Sequence, residues 1–430
     1  MRPASPPGDP GTAAATPPVG DTGHLTSQTR GSAREVLLAF LHLGLTAFGG
    51  PVAHVGYFRL AFVVRRGWLD EQRFAELLAL CQFLPGPASS QLGFAIGLLR
   101  AGWRGALAAF VGFTLPSALL MFGFALLTPR FDVGLGPAVL HGLKLVAVVV
   151  VAHAVFAMAR PLSADPKRLL MAAGAAVLLL CGDPAWLMLP ALVAGALLGL
   201  ACCRVQPAGA MPALMPPHGP RAAALCLLIF LLGLAAALAW PAGGAASSAG
   251  LAARFYQAGA LVFGGGHVVL PLLEQGVVAP GWVTREAFLA GYGAAQAVPG
   301  PMFTLAAYLG AEAAPGGAVA GAALLAVGMV FLPGFLLVLA VLPGWARWSQ
   351  QVRAQRAMAG IQAAVVGVLA ATLVDTVWPA GVQRASDVGI VLIGFTLLAG
   401  LRLPAWAVVL CCVGLNLGVE LPGSPLVRHA

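Results

Sequence analysis

The apolar positions of this chain fall in long runs separated by short polar turns, and these runs predict helices. Continuous apolar segments lie at about 104–127, 137–158, 168–182, 184–203 and 221–240, then at about 316–343, 357–378, 388–401 and 403–420. Most approach the ~20 residues a helix needs to cross a bilayer, and turns bearing Pro or Arg separate them. Four other runs are interrupted from within. Phe48-Gly49-Gly50-Pro51 cuts the run that starts at Val36, and Pro85-Gly86-Pro87 cuts the one from Phe74 to Arg100. Phe263-Gly264-Gly265-Gly266 and Pro299-Gly300-Pro301 cut the runs at about 251–279 and 286–314. Two prolines around a glycine unwind a helix, because proline lacks the backbone donor and clashes with the preceding turn. Freed backbone groups persist at membrane depth only where protein or a watery cavity satisfies them. The pattern therefore predicts discontinuous helices whose breaks face a cavity.

The interruptions repeat. Phe40, Gly44, Phe48, Gly49 and Gly50 match Phe255, Gly259, Phe263, Gly264 and Gly265 at an offset of 215. Trp68, Phe74, Gln82, Pro85, Gly86 and Pro87 match Trp282, Phe288, Gln296, Pro299, Gly300 and Pro301 at 214. Leu115-Pro116 matches Leu332-Pro333 at 217, Gly142 matches Gly360 at 218, and Pro184-Ala185-Trp186 matches Pro404-Ala405-Trp406 at 220. Landmarks that keep their order while the offset drifts indicate a duplicated unit with small loop insertions. The expected organisation is a disordered tail over 1–33, a first repeat over 34–203, a Pro-rich linker with an extra segment at 221–240 inside 204–250, and a second repeat over 251–421. With about six crossings per repeat and one between, the second repeat enters from the opposite face, as in the inverted repeats of secondary transporters; the stretches after Gly50 and Gly265 are either spanning or re-entrant. Assigning alternate loops to opposite sides gives near-equal arginine totals in the first half, so charge does not set the orientation at this stage.

Composition agrees with a membrane solvent. The chain is 60% hydrophobic and 9% charged, with a mean hydropathy of +0.90, against about a quarter charged in soluble domains. The fold class is thus an all-α polytopic membrane protein of two homologous repeats. The net charge of +9 comes from arginines spread over loops, which suits anionic headgroups and not a nucleic-acid partner. Seven cysteines show no C-x-x-C spacing, so neither a metal site nor a cofactor is expected. No Walker A loop, H-E-x-x-H or G-x-S-x-G triad occurs, which points away from an enzyme.

A broken helix offers an anion free N–H groups and the positive end of a helix dipole. Here those ends fall at Ala88-Ser89-Ser90 and Met302-Phe303-Thr304, and Ser89, Ser90 and Thr304 can add hydroxyls. Gly49, Gly50, Gly264, Gly265 and Gly266 permit close backbone approach to a ligand, or simply a kink or tight helix crossing. Pro51 closes the first glycine cluster. Lys144 is either a direct anion contact or a snorkelling side chain, with Gln362 as its repeat partner. His54 and His267 lie near the glycine clusters as donors or proton carriers. Gln82 and Gln296 offer amide donors one turn before the breaks. Glu76 is the carboxylate placed for proton coupling, or alternatively a helix-start cap.

In combination, Phe48-Gly49-Gly50-Pro51 with His54, Gln82-x-x-Pro85-Gly86-Pro87, Phe263-Gly264-Gly265-Gly266-His267 and Gln296-x-x-Pro299-Gly300-Pro301 resemble the chromate ion transporter family in its long, two-domain form. The resemblance covers about residues 35–420. It implies a multi-pass protein of the cell inner membrane that exports chromate on the membrane potential or proton gradient, with its halves oppositely oriented. Sulfate or another oxyanion on the same fold is the alternative, and an anion channel or membrane-complex subunit is the reading from a different class. A homodimer is left open as the assembly.

Overall fold

The computed structural model describes residues 31–129, 134–204, 218–241 and 244–420. The expected tail over 1–33 and the Pro-rich linker after Arg204 lie mostly outside them. Among the described residues there are helices and no strands. The first repeat contributes α1 (Ala33–Thr46), α2 (Gly50–Phe58), α3 (Glu71–Phe83), α4 (Ala88–Leu127), α5 (Gly136–Ala159), α6 (Pro166–Leu180) and α7 (Pro184–Cys202). After α8 (Pro220–Ala239) the second contributes α9 (Ser248–Leu261), α10 (Val269–Leu273), α11 (Arg285–Ala295), α12 (Leu305–Glu312), α13 (Val319–Val341), α14 (Trp345–Trp348), α15 (Val352–Thr372), α16 (Trp378–Gly381), α17 (Ala385–Phe395) and α18 (Ala405–Glu420).

The repeats share their local chemistry. Ser32 caps α1 by accepting from Glu35 N, and Ser247 caps α9 by accepting from Gly250 N. Asp70 caps α3 and Thr284 caps α11 in the same way. Each cap satisfies a helix-start donor and is typically worth ~1 kcal/mol. The arms that follow the glycine clusters both widen into π-helical turns, starting at Arg59 and Glu274.

The interrupted runs reverse direction at their breaks. Phe40 of α1 stacks on Phe62 at 4.7 Å, although the two flank the first glycine cluster. The guanidinium of Arg100 lies 5.2 Å over Trp68 and bonds Glu35 at 3.3 Å, and Trp68 Nε1 donates to Glu35 at 3.1 Å. A straight helix from Glu71 to Arg100 would separate its ends by about 45 Å, so α3 and the start of α4 form a hairpin with Pro85-Gly86-Pro87 at the tip. The expectation of one interrupted crossing over Phe74 to Arg100 is corrected accordingly, as is the count of six crossings per repeat. Beyond a second reversal at Ala101-Gly102, where Gly102 adopts φ 65°, the rest of α4 crosses to the opposite face at Thr128.

The second repeat runs the other way. Its α12 ends beside Thr128, where Phe124 packs on Tyr308 at 5.3 Å. α13 then returns toward Trp103, because His218 contacts both the Trp103 ring at 5.6 Å and the Leu339 carbonyl at 2.8 Å. The hairpins of the first repeat therefore open on the Glu35 face and those of the second on the Thr128 face, an inverted pair. The halves also exchange partners: α15 packs on α6 and α7, and α5 packs on α17 and α18. Among the described residues five helices are long and apolar enough to cross a membrane, namely Ala88–Leu127, Gly136–Ala164, Pro220–Ala239, Val319–Trp348 and Val352–Gly381.

With hairpins returned to their starting face, the charge pattern becomes one-sided. Arg34, Arg59, Arg65, Arg66, Arg73, Arg100, Arg104, Arg160, Lys167, Arg168, Arg204, Arg221, Arg347, Arg353, Arg356 and Arg402 gather toward the Glu35 face. Among the described residues Arg254, Arg285 and Arg384 lie toward the other. The balance expected from sequence arose because each interrupted run was counted as one crossing, whereas it returns to its starting face. An accessibility tag in the Arg65-Arg66 loop and one at Ala279-Pro280-Gly281 should report opposite sides of the membrane. Both tags reacting from one side would refute the inverted arrangement.

Candidate functional site

All four breaks meet at one centre, and each half completes the break of the other. Gly86 N donates to Val262 O at 2.7 Å, and Gly300 N donates to Ala47 O at 2.9 Å. These two bonds are repeat equivalents, with Ala47 matching Val262 at an offset of 215 and Gly86 matching Gly300 at 214. Both break glycines have positive φ, 122° at Gly86 and 97° at Gly300, a region that other residues enter at a cost. The second neighbour of each break is also shared. A Cβ on Gly86 would stand 3.1 Å from Gly334 Cα, and one on Gly300 would stand 2.8 Å from Ser117 Oγ; Ser117 and Gly334 are equivalents too. The glycine clusters touch where Gly266 faces Pro51 and Met302.

The breaks leave helix-start donors unspent. No acceptor within the described residues takes the N–H groups of Ala88, Ser89 and Ser90, or those of Met302 and Phe303. Ser89, Ser90, Met302 and Phe303 are buried. Buried helix ends without partners are unusual, and each unmade bond costs ~1–3 kcal/mol. Two such ends at one centre form a setting for an anion. Ser90 Oγ, buried to 3% exposure, also lacks a partner among the described residues, while Thr304 Oγ1 donates back to Pro301 O at 2.8 Å.

The remaining candidates divide by position. His54 is fully buried and uses both ring nitrogens internally: Nε2 donates to Ala47 O at 3.2 Å, which leaves Nδ1 to accept from the Ser89 hydroxyl at 3.4 Å. A carbonyl can only accept, so this bond fixes the tautomer. His54 thereby joins the first glycine cluster to the helix after the first break. His267 Nδ1 shares a 2.9 Å hydrogen bond with the Tyr292 hydroxyl. Gly49, Gly50, Gly264 and Gly265 form the two turns beside the centre, and all four have positive φ. Pro85, Pro87, Pro299 and Pro301 flank the tips. Gln296 donates to Met302 Sδ at 3.1 Å, whereas Gln82 faces outward. Glu76 is buried in the first half of α3, about 12 Å along the helix from the break, and is not part of the centre.

Lys144 lies on α5 beside the point where α11 crosses it. A Cβ on Gly293 of α11 would run into Leu143 O, so the helices touch there, three residues before Gln296. Lys144 is 9% exposed and has no hydrogen bond or ion pair among the described residues. A buried lysine without a counter-charge among the described residues is costly in a membrane protein.

The sequence pattern missed Gln91. It is fully buried, and its Nε2 donates to Pro85 O at 2.9 Å and Gly334 O at 3.1 Å, tying the first break to α13. Its repeat equivalent is Leu305, so a search for paired landmarks passes over it. Ser117 and Gly334 were closer to hand, each one residue beyond the matched Leu-Pro pairs.

Oppositely oriented helical repeats whose hairpin tips share a central site define a membrane transporter of the inverted-repeat class. The chain belongs to the chromate transporter family: the family described as Chromate transporter matches residues 34–200 and again 249–417. It is similar to the "Chromate transport protein" of Pseudomonas aeruginosa, 30% identical over 355 residues that cover 79% of this chain and 80% of that one. The "Probable chromate transport protein" of Synechococcus elongatus is 28% identical over 404 residues, covering 92% and 93%. The "Chromate transport protein" of Cupriavidus metallidurans is 28% identical over 353 residues, covering 79% and 82%. No solved structure matches at a significant level.

Proposed function

We propose that this chain exports chromate across the cell inner membrane, driven by the membrane potential or the proton gradient, and that the central site binds the oxyanion. The observation that carries the reading is the pair of helix starts at Ala88-Ser89-Ser90 and Met302-Phe303, whose N–H groups have no acceptor among the described residues and of which all but Ala88 are buried. Ser90 Oγ and the Lys144 ammonium supply a hydroxyl donor and a positive charge. Gly49, Gly50, Gly264, Gly265 and Gly266 let backbone approach the ligand. Donors of this kind read a tetrahedral dianion through charge and N–H direction, which sulfate shares. Relatives named for chromate favour chromate as the cargo.

Because cytoplasmic loops carry the excess of Lys and Arg, the Glu35 face is cytoplasmic and the Thr128 face periplasmic in this reading. The extents 34–203 and 251–421 serve as the two transport repeats, joined through 204–250. Labelled chromate and sulfate should be followed in vesicles of known orientation, with and without an imposed proton gradient. Chromate movement away from the cytoplasmic side that responds to the gradient or potential is expected. Movement of sulfate alone would transfer the assignment to the alternative cargo.

A further inference from the structure

The two repeats share a fold but differ in conformation, and one difference lies in how their hairpins meet α5 and α15. On the Thr128 face α11 packs against the first half of α5 at Gly293 and Leu143. The equivalent residues on the other side are Ala79 of α3 and Ile361 of α15. Both are partly exposed, and α3 packs on α4 without a comparable contact with α15. The arms after the glycine clusters differ in the same sense. All five residues of α10 are buried and the helix rests on α15, whereas α2 leaves Val52 88% exposed and Tyr57 exposed as well. α5 is buried from His141 to Lys144, whereas most of the first half of α15 is only partly so.

An ion pair marks the two faces. Arg59 pairs with Glu71 on the Glu35 face, both more than half exposed. Their repeat equivalents are Glu274 and Arg285, 3.5 Å apart with the charges exchanged, and Glu274 is only 13% exposed. Glu274 and Arg285 line a cavity of about 370 Å³ with Asp375 and Thr376. Position 59 is thus exposed while its equivalent, Glu274, is largely buried, and positions 71 and 285 both stay about half exposed.

Two equivalent repeats that adopt different conformations display two accessible states of one unit, and exchanging them between the repeats generates a molecule open to the opposite side. We infer that the structure is the state open to the Glu35 face, and that the second state forms when α2 and α3 dock on the first half of α15, Ala79 meeting Ile361, while α11 leaves α5 at Gly293. The small side chain at position 79 suits a close helix crossing, as the missing one at Gly293 does. The inference rests on the transport reading above, and its test reads geometry independently of the cargo.

Ala79→Cys and Ile361→Cys should be introduced together into the full chain, reconstituted in vesicles and oxidised with copper phenanthroline, with and without chromate. A disulfide requires the two Cα atoms to come within about 7 Å. The expected result is a disulfide several-fold above the Ile361→Cys control, arrest of flux on oxidation and recovery on reduction. A disulfide that forms in a chain carrying no chromate supports the gate and rejects the cargo. Chromate flux with no disulfide above control overturns the gate, and so does undiminished flux in the cross-linked protein. Should the double variant fail to insert, Ala79→Cys alone gives the second readout, labelling by an impermeant maleimide from the Glu35 face. Protection of several-fold during turnover is expected, and an unchanged labelling rate during measured flux overturns the inference.

Discussion

Leucine at Gly86 or Gly300 is expected to stop oxyanion flux, with alanine at either position reducing it severely. Backbone conformation sets the first part of the effect, since φ of 122° and 97° is adopted readily by glycine alone and costs other residues ~1–2 kcal/mol or more. Sterics add the larger part. A Cβ on Gly86 would lie 2.9 Å from Gln91 Nε2 and 3.1 Å from Gly334 Cα. Gln91 could swing aside only by giving up its bonds to Pro85 O and Gly334 O, and the Gly334 backbone cannot move without α13. At Gly300 the Cβ would press on Ser117 Oγ at 2.8 Å and Phe113 O at 3.2 Å. Either shift parts a break from the opposite half and strands a buried donor. Flux in vesicles, normalised to the inserted protein, is the measurement, with Gly123→Ala as the control because nothing lies within 4 Å of a Cβ there. Normal flux with leucine at both break glycines would end the case for a site at the tips.

Lys144→Gln should raise the chromate concentration needed for half-maximal flux about tenfold or more, with little change in the amount of inserted protein. A charge-assisted hydrogen bond contributes ~1.5–3 kcal/mol, and each 1.4 kcal/mol is a factor of ten in affinity. Glutamine is a measured choice because Gln362 occupies the equivalent position in the second repeat. Removing an unpaired buried charge also relieves a burial cost, so Lys144→Gln should resist detergent or heat at least as well as the parent protein. A lysine that merely reaches for the interface predicts unchanged half-saturation, and that result would remove Lys144 from the site.

The sequence displayed the breaks and the duplication because Pro and Gly act locally: their effect on φ, donors and packing is decided within a turn. The repeat offsets then gave an inverted pair from parity alone. Direction at each break was not legible. Whether the chain continues or folds back past Pro85-Gly86-Pro87 is decided by Phe40 against Phe62 and by Glu35, Trp68 and Arg100, contacts between residues 22 to 65 positions apart. The arginine asymmetry was hidden by the same missing information. Of the two glutamines near the first break, Gln82 recurs in the second repeat and is visible to a pattern search, yet Gln91 is the one that bonds the break. Its job depends on Gly334, which reaches it through the tertiary fold.

The crossed bonds at the centre also constrain the order of assembly. Ala47 and Gly86 are synthesised well before their partners Gly300 and Val262, so the first half enters the membrane with both of its breaks uncapped. Its helices can form and cross, but the donor at Gly86 and the acceptor at Ala47 lack these partners until the second half is inserted. Closing the centre therefore waits on the second half, which supplies both Val262 O and Gly300 N.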